Sequence, residues 1–290
     1  MRLIHTLDEA NINFSNDTCN ESTLALEVGS VVYLPKLTFN LLDADKVLLS
    51  PDLLKPGSKN ISYVPDKKLV RGLQDDSPHL DQAQAMLERY VAYAKDLVDS
   101  LFPHYKGHYE IGKASLRPVE IRGRQTSYRK DDTRLHVDAF PSNPNQGMRL
   151  LRVFCNINPN NQSRHWRVGE PFASVASRFL PTISKPFPGK HALLKAFGVT
   201  KTARSDYDHY MLQMHNRMKA DMNYQKGVEQ SEFHFPPQTT WVVFTDLVSH
   251  AAMSGQYVLE QTFYLPVEAM KYPDQAPIRI LEEIMQRKLA

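Results

Sequence analysis

The chain has 290 residues, of which 42% are hydrophobic and 23% charged, enough for one large packed domain or a core with a smaller appendage. A formal charge of only +3, from dispersed lysines and arginines, excludes the concentrated basic stripe of a nucleic-acid binder. It permits an anionic small molecule or weak attraction to an anionic membrane surface.

Along the chain, Met1 to Phe14 lacks the apolar run of a signal peptide. Residues 22–42 read as β, with Leu24, Leu26 and Val28 alternating before the run Val31 to Leu34 ends at Pro35. Residues 43–75, rich in Pro, Lys, Asp and Gly, read as irregular connections. A helix follows, capped by Asp76 or Ser77, with Ala83, Met86, Leu87, Tyr90, Ala94, Leu97, Val98 and Leu101 at the 3.6 period and Pro103 as its stop. Ala114 to Arg122, Arg134 to Phe140 and Met148 to Ile157 are strand-length runs, the last two separated by the turn cluster Pro141 to Gly147. Residues 170–225 read as a helical insertion, a lid, a substrate wall or a dimer surface. Its face of Tyr207, Tyr210, Met211, Met214, Met218 and Met222 is more simply core packing. Strands return at Phe233 to Phe235, Thr240 to Asp246 and Tyr257 to Leu265, and a terminal helix spans 277–288. No stretch reaches the ~18 apolar residues of a membrane span. Cys19 and Cys155, far apart in sequence, form no disulfide framework. Both observations suit a cytoplasmic protein.

His136-Val-Asp138 sits in the second strand-length run. Residues i and i+2 of a strand share a face about 7 Å apart, so both side chains can grip one ion. His250, after a strongly apolar strand, supplies a third ligand. Two His and a carboxylate on one side of a metal form a facial triad with open positions, the donor set of Fe(II) oxygenases. His-x-Asp alone recurs by chance; the strand, the turn cluster and the distal His together make it an iron site. Other histidines fit a site less well. His104 and His108 would need a helix that Pro103 and Gly107 oppose, and His209 and His215 do not share one helix face. His234 reads as a core or pocket histidine on a strand. His165-Trp166-Arg167 reads as a loop able to touch substrate. There is no G-x-S-x-G elbow, no G-x-G-x-x-G and no P-loop.

The segment from 113 to 266 resembles the 2-oxoglutarate-dependent dioxygenases through His136, Asp138 and His250. More closely, the whole chain resembles the bacterial Kdo 3-hydroxylases in three stretches: Thr133 to Ser142, Arg149 to Pro159 and Phe244 to Met253. The resemblance implies an α+β fold: a double-stranded β-helix (jelly-roll, cupin-like) core backed by α-helices, with the helical insertion before the distal His strand. Residues 1–75 would form a β-rich, irregular N-terminal region and 76–290 the oxygenase domain. It also implies Fe(II), 2-oxoglutarate and dioxygen as reactants, and hydroxylation of the sugar Kdo at C3 in a lipid A precursor with release of succinate and CO2. An amphiphilic substrate implies at most peripheral contact with the cytoplasmic face of the inner membrane. Many such oxygenases hold the distal carboxylate of 2-oxoglutarate with an Arg about ten residues past the distal His; Glu260 and Gln261 occupy that place here. Arg152, which shares strand parity with Phe154, Asn156 and Asn158, is the first substitute and Arg149, of opposite parity, the second. Tyr128 and Gln261 would assist by hydrogen bonding. Arg122, Arg124 and Arg134, flanking the metal strand, are the expected substrate contacts. The rival readings are the same chemistry on another small molecule, a cupin-like zinc hydrolase and a metal-free sugar-binding module.

Overall fold

Strands from both halves of the chain interleave in two sheets. The structure, a computed structural model, describes residues 3–186 and 204–290. Numbered along the chain, the larger sheet contains β1 (Ile4–Thr6), β2 (Val31–Leu34), β3 (Ile61–Val64), β4 (Leu69–Arg71), β5 (Glu110–Arg117), β6 (Arg149–Asn156), β9 (Thr239–Phe244) and β11 (Val258–Leu265), in the order β1-β2-β9-β6-β11-β5-β3-β4. The smaller sheet has the order β10-β7-β8, from β7 (Arg164–Val168), β8 (Ser231–Phe235) and β10 (His250–Ser254). The His136 segment adds to its edge through an antiparallel bridge to His250. Strands β5-β11-β6-β9 thus face the His136 segment, β10, β7 and β8. These seven strands and the bridged His136 segment form the jelly roll of a double-stranded β-helix. The four strands from residues 1–75 extend the larger sheet at both ends.

Aromatic side chains fill the space between the sheets. Phe154 stacks on Trp241 at 5.2 Å, and Trp166 meets Phe154, Phe235 and Trp241 edge-on at 5.3–5.8 Å. Helices cover the other face of the larger sheet. In α2 (Leu80–Leu101) all eight residues of the expected apolar stripe are fully buried. The helix starts later than its expected cap: His79 is the N-cap and makes no side-chain cap bond.

The expected strand before Val31 is instead α1 (Asn16–Glu27), capped by Ser15 Oγ, which accepts from Thr18 N. Its apolar signal is thin because the helix buries polar groups. Glu27 is fully buried and accepts from Tyr105 Oη and from the backbone N–H groups of Lys271 and Tyr272. The first core strand ends at Arg117 rather than Arg122, because Pro118 follows and has no N–H for the ladder.

The run Arg134 to Phe140 is not a continuous strand. His136 makes the bridge, and Asp138 N–H donates to the Thr245 carbonyl at 2.8 Å. Just before them, at Leu135, the Gln225 side chain takes the place of a neighbouring backbone. Its Oε1 accepts from Leu135 N at 2.8 Å and its Nε2 donates to Leu135 O at 3.0 Å.

The insertion contains α3 (Phe172–Phe179), α4 (Asp206–Ala220) and α5 (Met222–Gly227); the part of it at 187–203 lies outside the described residues. Tyr207, Tyr210, Met211, Met214 and Met218 are buried on α4, whereas Met222 opens α5 and is exposed. The terminal helix, α6 (Pro277–Met285), stops at Gln286, which takes a left-handed conformation.

Candidate metal centre

His136, Asp138 and His250 converge with one ligand atom of each within 4.8 Å of the others. The bridge produces this arrangement. His136 and His250 exchange both backbone hydrogen bonds, at 3.0 and 2.9 Å, which sets their rings 4.7 Å apart. Asp138, two residues on, brings its Oδ1 to 3.5 Å from His136 Nε2.

Both imidazoles are oriented from behind. His136 Nδ1 lies 2.8 Å from the Arg134 carbonyl and His250 Nδ1 2.8 Å from the Val248 carbonyl. A carbonyl only accepts, so each Nδ1 carries the proton and each Nε2 lone pair faces the cluster. Trp166 stacks on the His250 ring at 5.0 Å and 22°.

All three groups are buried, and their ionisation suits a cation. Burial, with Lys219 nearby, pulls His136 down to about 3. Burial also lowers His250, so both rings are neutral ligands at neutral pH. For Asp138 burial alone would raise the pKa. The Arg152 guanidinium, 3.2 Å from Oδ2, outweighs it and holds the carboxylate ionised. Asp138 Oδ2 is buried yet has no hydrogen-bond partner. An anionic oxygen and two neutral nitrogens, with a carboxylate lone pair left over, form a donor set that fits a divalent transition metal.

The cluster lies in a cavity of about 610 Å³, a size able to hold a co-substrate and part of a sugar. Six cations line it: Arg117, Arg129, Lys130, Arg152, Arg164 and Lys219, against the carboxylates Asp132, Asp138 and Glu260. Arg152 faces inward, but it is already engaged, with its Nη1 3.2 Å from Asp138 and 3.3 Å from Glu260; Arg117 also pairs with Glu260.

Arg164 and Lys219 differ from these. Each is buried, and neither has a carboxylate in ion-pair contact among the described residues. Arg164 donates through Nη1 to the Gly255 carbonyl at 2.8 Å, and its Nε has no partner. Burial and the neighbouring Arg117 pull its pKa down to about 9. Lys219 donates to the Arg129 carbonyl at 3.2 Å.

The insertion supplies one wall. Leu212, His215, Asn216 and Lys219 of α4 line the cavity at helical spacing. His215 sets its ring 5.0 Å from that of His136.

Several expected site residues lie elsewhere. Arg149 is fully buried on the other face of β6, paired through two nitrogens with Asp246 and packed 3.8 Å over the Phe244 ring. It cannot turn into the cavity without abandoning Asp246. Gln261 has the same outward parity and donates to the Gly112 and Thr262 carbonyls. Tyr128 does not line the cavity, although Ser127 and Arg129 beside it do. Arg122 is exposed; Arg124 is held by the Val119 and Glu120 carbonyls and Asp132; Arg134 is held by Asp131 and the Lys219 carbonyl. None of these three arginines lines the cavity.

Arg164, Arg117 and Lys219 line the cavity although the sequence did not mark them, and Trp166 lines it from a strand rather than a loop. The available signal was Arg164-His-Trp-Arg-Val168, whose alternation is that of strand β7 rather than a loop.

A family model for 3-deoxy-D-manno-oct-2-ulosonic acid (Kdo) hydroxylase matches residues 9–288. Among solved structures, the Kdo hydroxylase KdoO, a non-haem Fe(II) α-ketoglutarate-dependent dioxygenase, matches in complex with cobalt(II) at 46% identity and a TM-score of 0.96, covering 99% of this chain and 97% of that one. KdoO with α-ketoglutarate and Fe(III) matches at 45% identity and a TM-score of 0.96, covering 100% and 98%. With succinate and Fe(III) it matches at 44% and 0.95, covering 99% and 97%. No curated protein sequence matches.

Proposed function

The chain belongs to the Kdo hydroxylase family of Fe(II)/2-oxoglutarate-dependent dioxygenases, and from that premise we propose that it hydroxylates Kdo at C3 in a lipid A precursor, releasing succinate and CO2. The observation that carries this reading is the buried His136, Asp138 and His250 cluster at a cation-lined cavity. Nε2 of each histidine and a carboxylate oxygen of Asp138 would hold Fe(II), leaving three positions on the open side. Iron with 2-oxoglutarate and dioxygen supplies the oxidising power for the C–H bond, driven by decarboxylation of the oxo acid.

The protein residues bind and orient. Arg164 is the best-suited anchor for the distal carboxylate of 2-oxoglutarate. It shares the inward face of β7 with Trp166, which stacks on His250. It is buried without an anion, so a carboxylate would supply the partner that the fold withholds. Arg152 holds Asp138 and Glu260 instead, fixing the carboxylate ligand. Lys219, on the α4 wall, suits the carboxylate of the sugar. A lipid-linked Kdo would be met at a membrane surface by peripheral contact; no helix among the described residues is long and apolar enough to cross a membrane.

The test is mass spectrometry of lipopolysaccharide from a Kdo-bearing host expressing the protein. The reading expects Kdo to gain one oxygen, with the added hydroxyl at C3 by fragmentation. Unmodified Kdo under aerobic, iron-replete growth overturns the substrate assignment.

A further inference from the structure

The outer face of the small sheet carries a second arrangement built on the plan of the first. In the cavity, a His and a carboxylate two residues apart on one segment meet a His directly opposite the first, His136 against His250. On the outside, Glu232 and His234 are two residues apart on β8, and His165 of β7 pairs directly with His234. One ligand atom from each of His165, Glu232 and His234 lies within 4.8 Å of the other two. We propose that these three residues form a second metal site, selective for a borderline divalent cation such as Zn²⁺ and separate from the cavity.

Alternation along the strands separates the two sites. Arg164, Trp166 and Val168 point inward and are buried, while His165 points outward with Glu232 and His234. The His165 and His234 rings stack at 4.3 Å and 15°. Residue for residue, Glu232 lies opposite Arg167, the natural ion-pair partner. Arg167 instead turns its guanidinium to the Thr133 carbonyl and Met253 Sδ. Glu232 leans diagonally, with Oε2 3.3 Å from His165 Nε2. That nitrogen is buried, and the Glu232 carboxylate is the group it faces. Burial and His234 lower the His165 pKa, leaving a neutral ring whose lone pair is available at neutral pH.

Two imidazoles and a carboxylate form a Zn²⁺ donor set that leaves a fourth position for water, with ligand distances near 2.0–2.2 Å. The ligand atoms, within 4.8 Å of one another, would close on an ion by rotation of the exposed Glu232 and His234 side chains, while the β7–β8 ladder holds the backbones. The exposed setting makes this site weaker than the buried one. A bound ion would clamp β7 to β8 and stabilise the fold by mass action.

The test counts Zn²⁺ bound by metal-stripped protein at equilibrium. The wild type is expected to hold two ions per chain, His234→Ala and Glu232→Gln one each, His136→Ala one, and His136→Ala/His234→Ala none. In the His136→Ala background, added Zn²⁺ should raise the Tm, and the second substitution should abolish that rise. With Fe(II) supplied, His234→Ala should turn over at the wild-type rate. One ion in the wild type that is lost only with His136, or two ions retained by His234→Ala, overturns the proposal.

Discussion

Replacing Arg164 by Met removes a buried guanidinium while keeping most of its apolar stem. Two consequences of opposite sign follow. In the ligand-free protein Arg164 has no carboxylate partner, and burial pulls its pKa down to about 9, so its charge opposes folding. The substitution gives up one hydrogen bond to the Gly255 carbonyl, worth about 1 kcal/mol, and relieves an uncompensated charge. The Tm of the ligand-free protein should therefore stay level or rise. Binding of 2-oxoglutarate should suffer. Charge-assisted hydrogen bonds contribute roughly 1.5–3 kcal/mol, which at 1.36 kcal/mol per factor of ten weakens the Kd by about 10- to 150-fold. Calorimetric titration of 2-oxoglutarate into anaerobic, Mn²⁺-loaded protein reads the Kd, and a thermal melt reads the stability. Arg152→Met is the control: it strips a buried cation from both Asp138 and Glu260 and should destabilise by about 3–5 kcal/mol. If Arg164→Met leaves the 2-oxoglutarate Kd unchanged, Arg164 is not the anchor. If Arg152→Met weakens that Kd tenfold without loss of stability, the anchor is Arg152.

Three further outcomes are expected. Arg149→Met should cost about 3–5 kcal/mol in urea denaturation by leaving Asp246 buried and unpaired, with the 2-oxoglutarate Kd unchanged; a weakened Kd in a stable variant would place Arg149 at the co-substrate. Gln225→Ala should cost about 2–4 kcal/mol, since both backbone groups of Leu135 lose their partners, and it should loosen Co²⁺ binding by freeing the His136 segment. Wild-type affinity and stability in that variant would contradict the positioning role. Finally, burial depresses His136, His215 and His250 below the ordinary histidine value, His136 to about 3. The unfolded chain therefore binds more protons than the folded one below about pH 6.5. Stability of the metal-free protein should be full above that pH and fall with acidification, by up to about 1.4 kcal/mol per pH unit for each such histidine. A urea midpoint that is flat between pH 7 and pH 5 would refute this.

The parts of the molecule legible in the sequence are those where one local pattern decides. The α2 stripe is a run of regularly spaced apolar residues, and every one is buried. His136 and Asp138 share a face because of a two-residue spacing, although the segment is a single bridge completed by Gln225 rather than a strand. Helix α1 was illegible because its inward face carries Ser22, Thr23 and Glu27, and the partners of Glu27 lie as far away as Tyr272. The inward direction of Arg152 follows from strand parity; its engagement by Asp138 and Glu260 depends on β11 lying beside β6. Arg164 shows the converse. Its importance lies in having no anionic partner, a property of three-dimensional surroundings that no local motif encodes.

As proposed, His136, Asp138 and His250 hold an iron that couples 2-oxoglutarate to Kdo. The most direct measurement follows succinate and hydroxylated Kdo together, from purified protein and a Kdo-bearing lipid A precursor. One succinate per hydroxylated Kdo is predicted, dependent on Fe(II) and dioxygen and absent in His136→Ala. Product formed without 2-oxoglutarate, or undiminished in His136→Ala, would contradict the account.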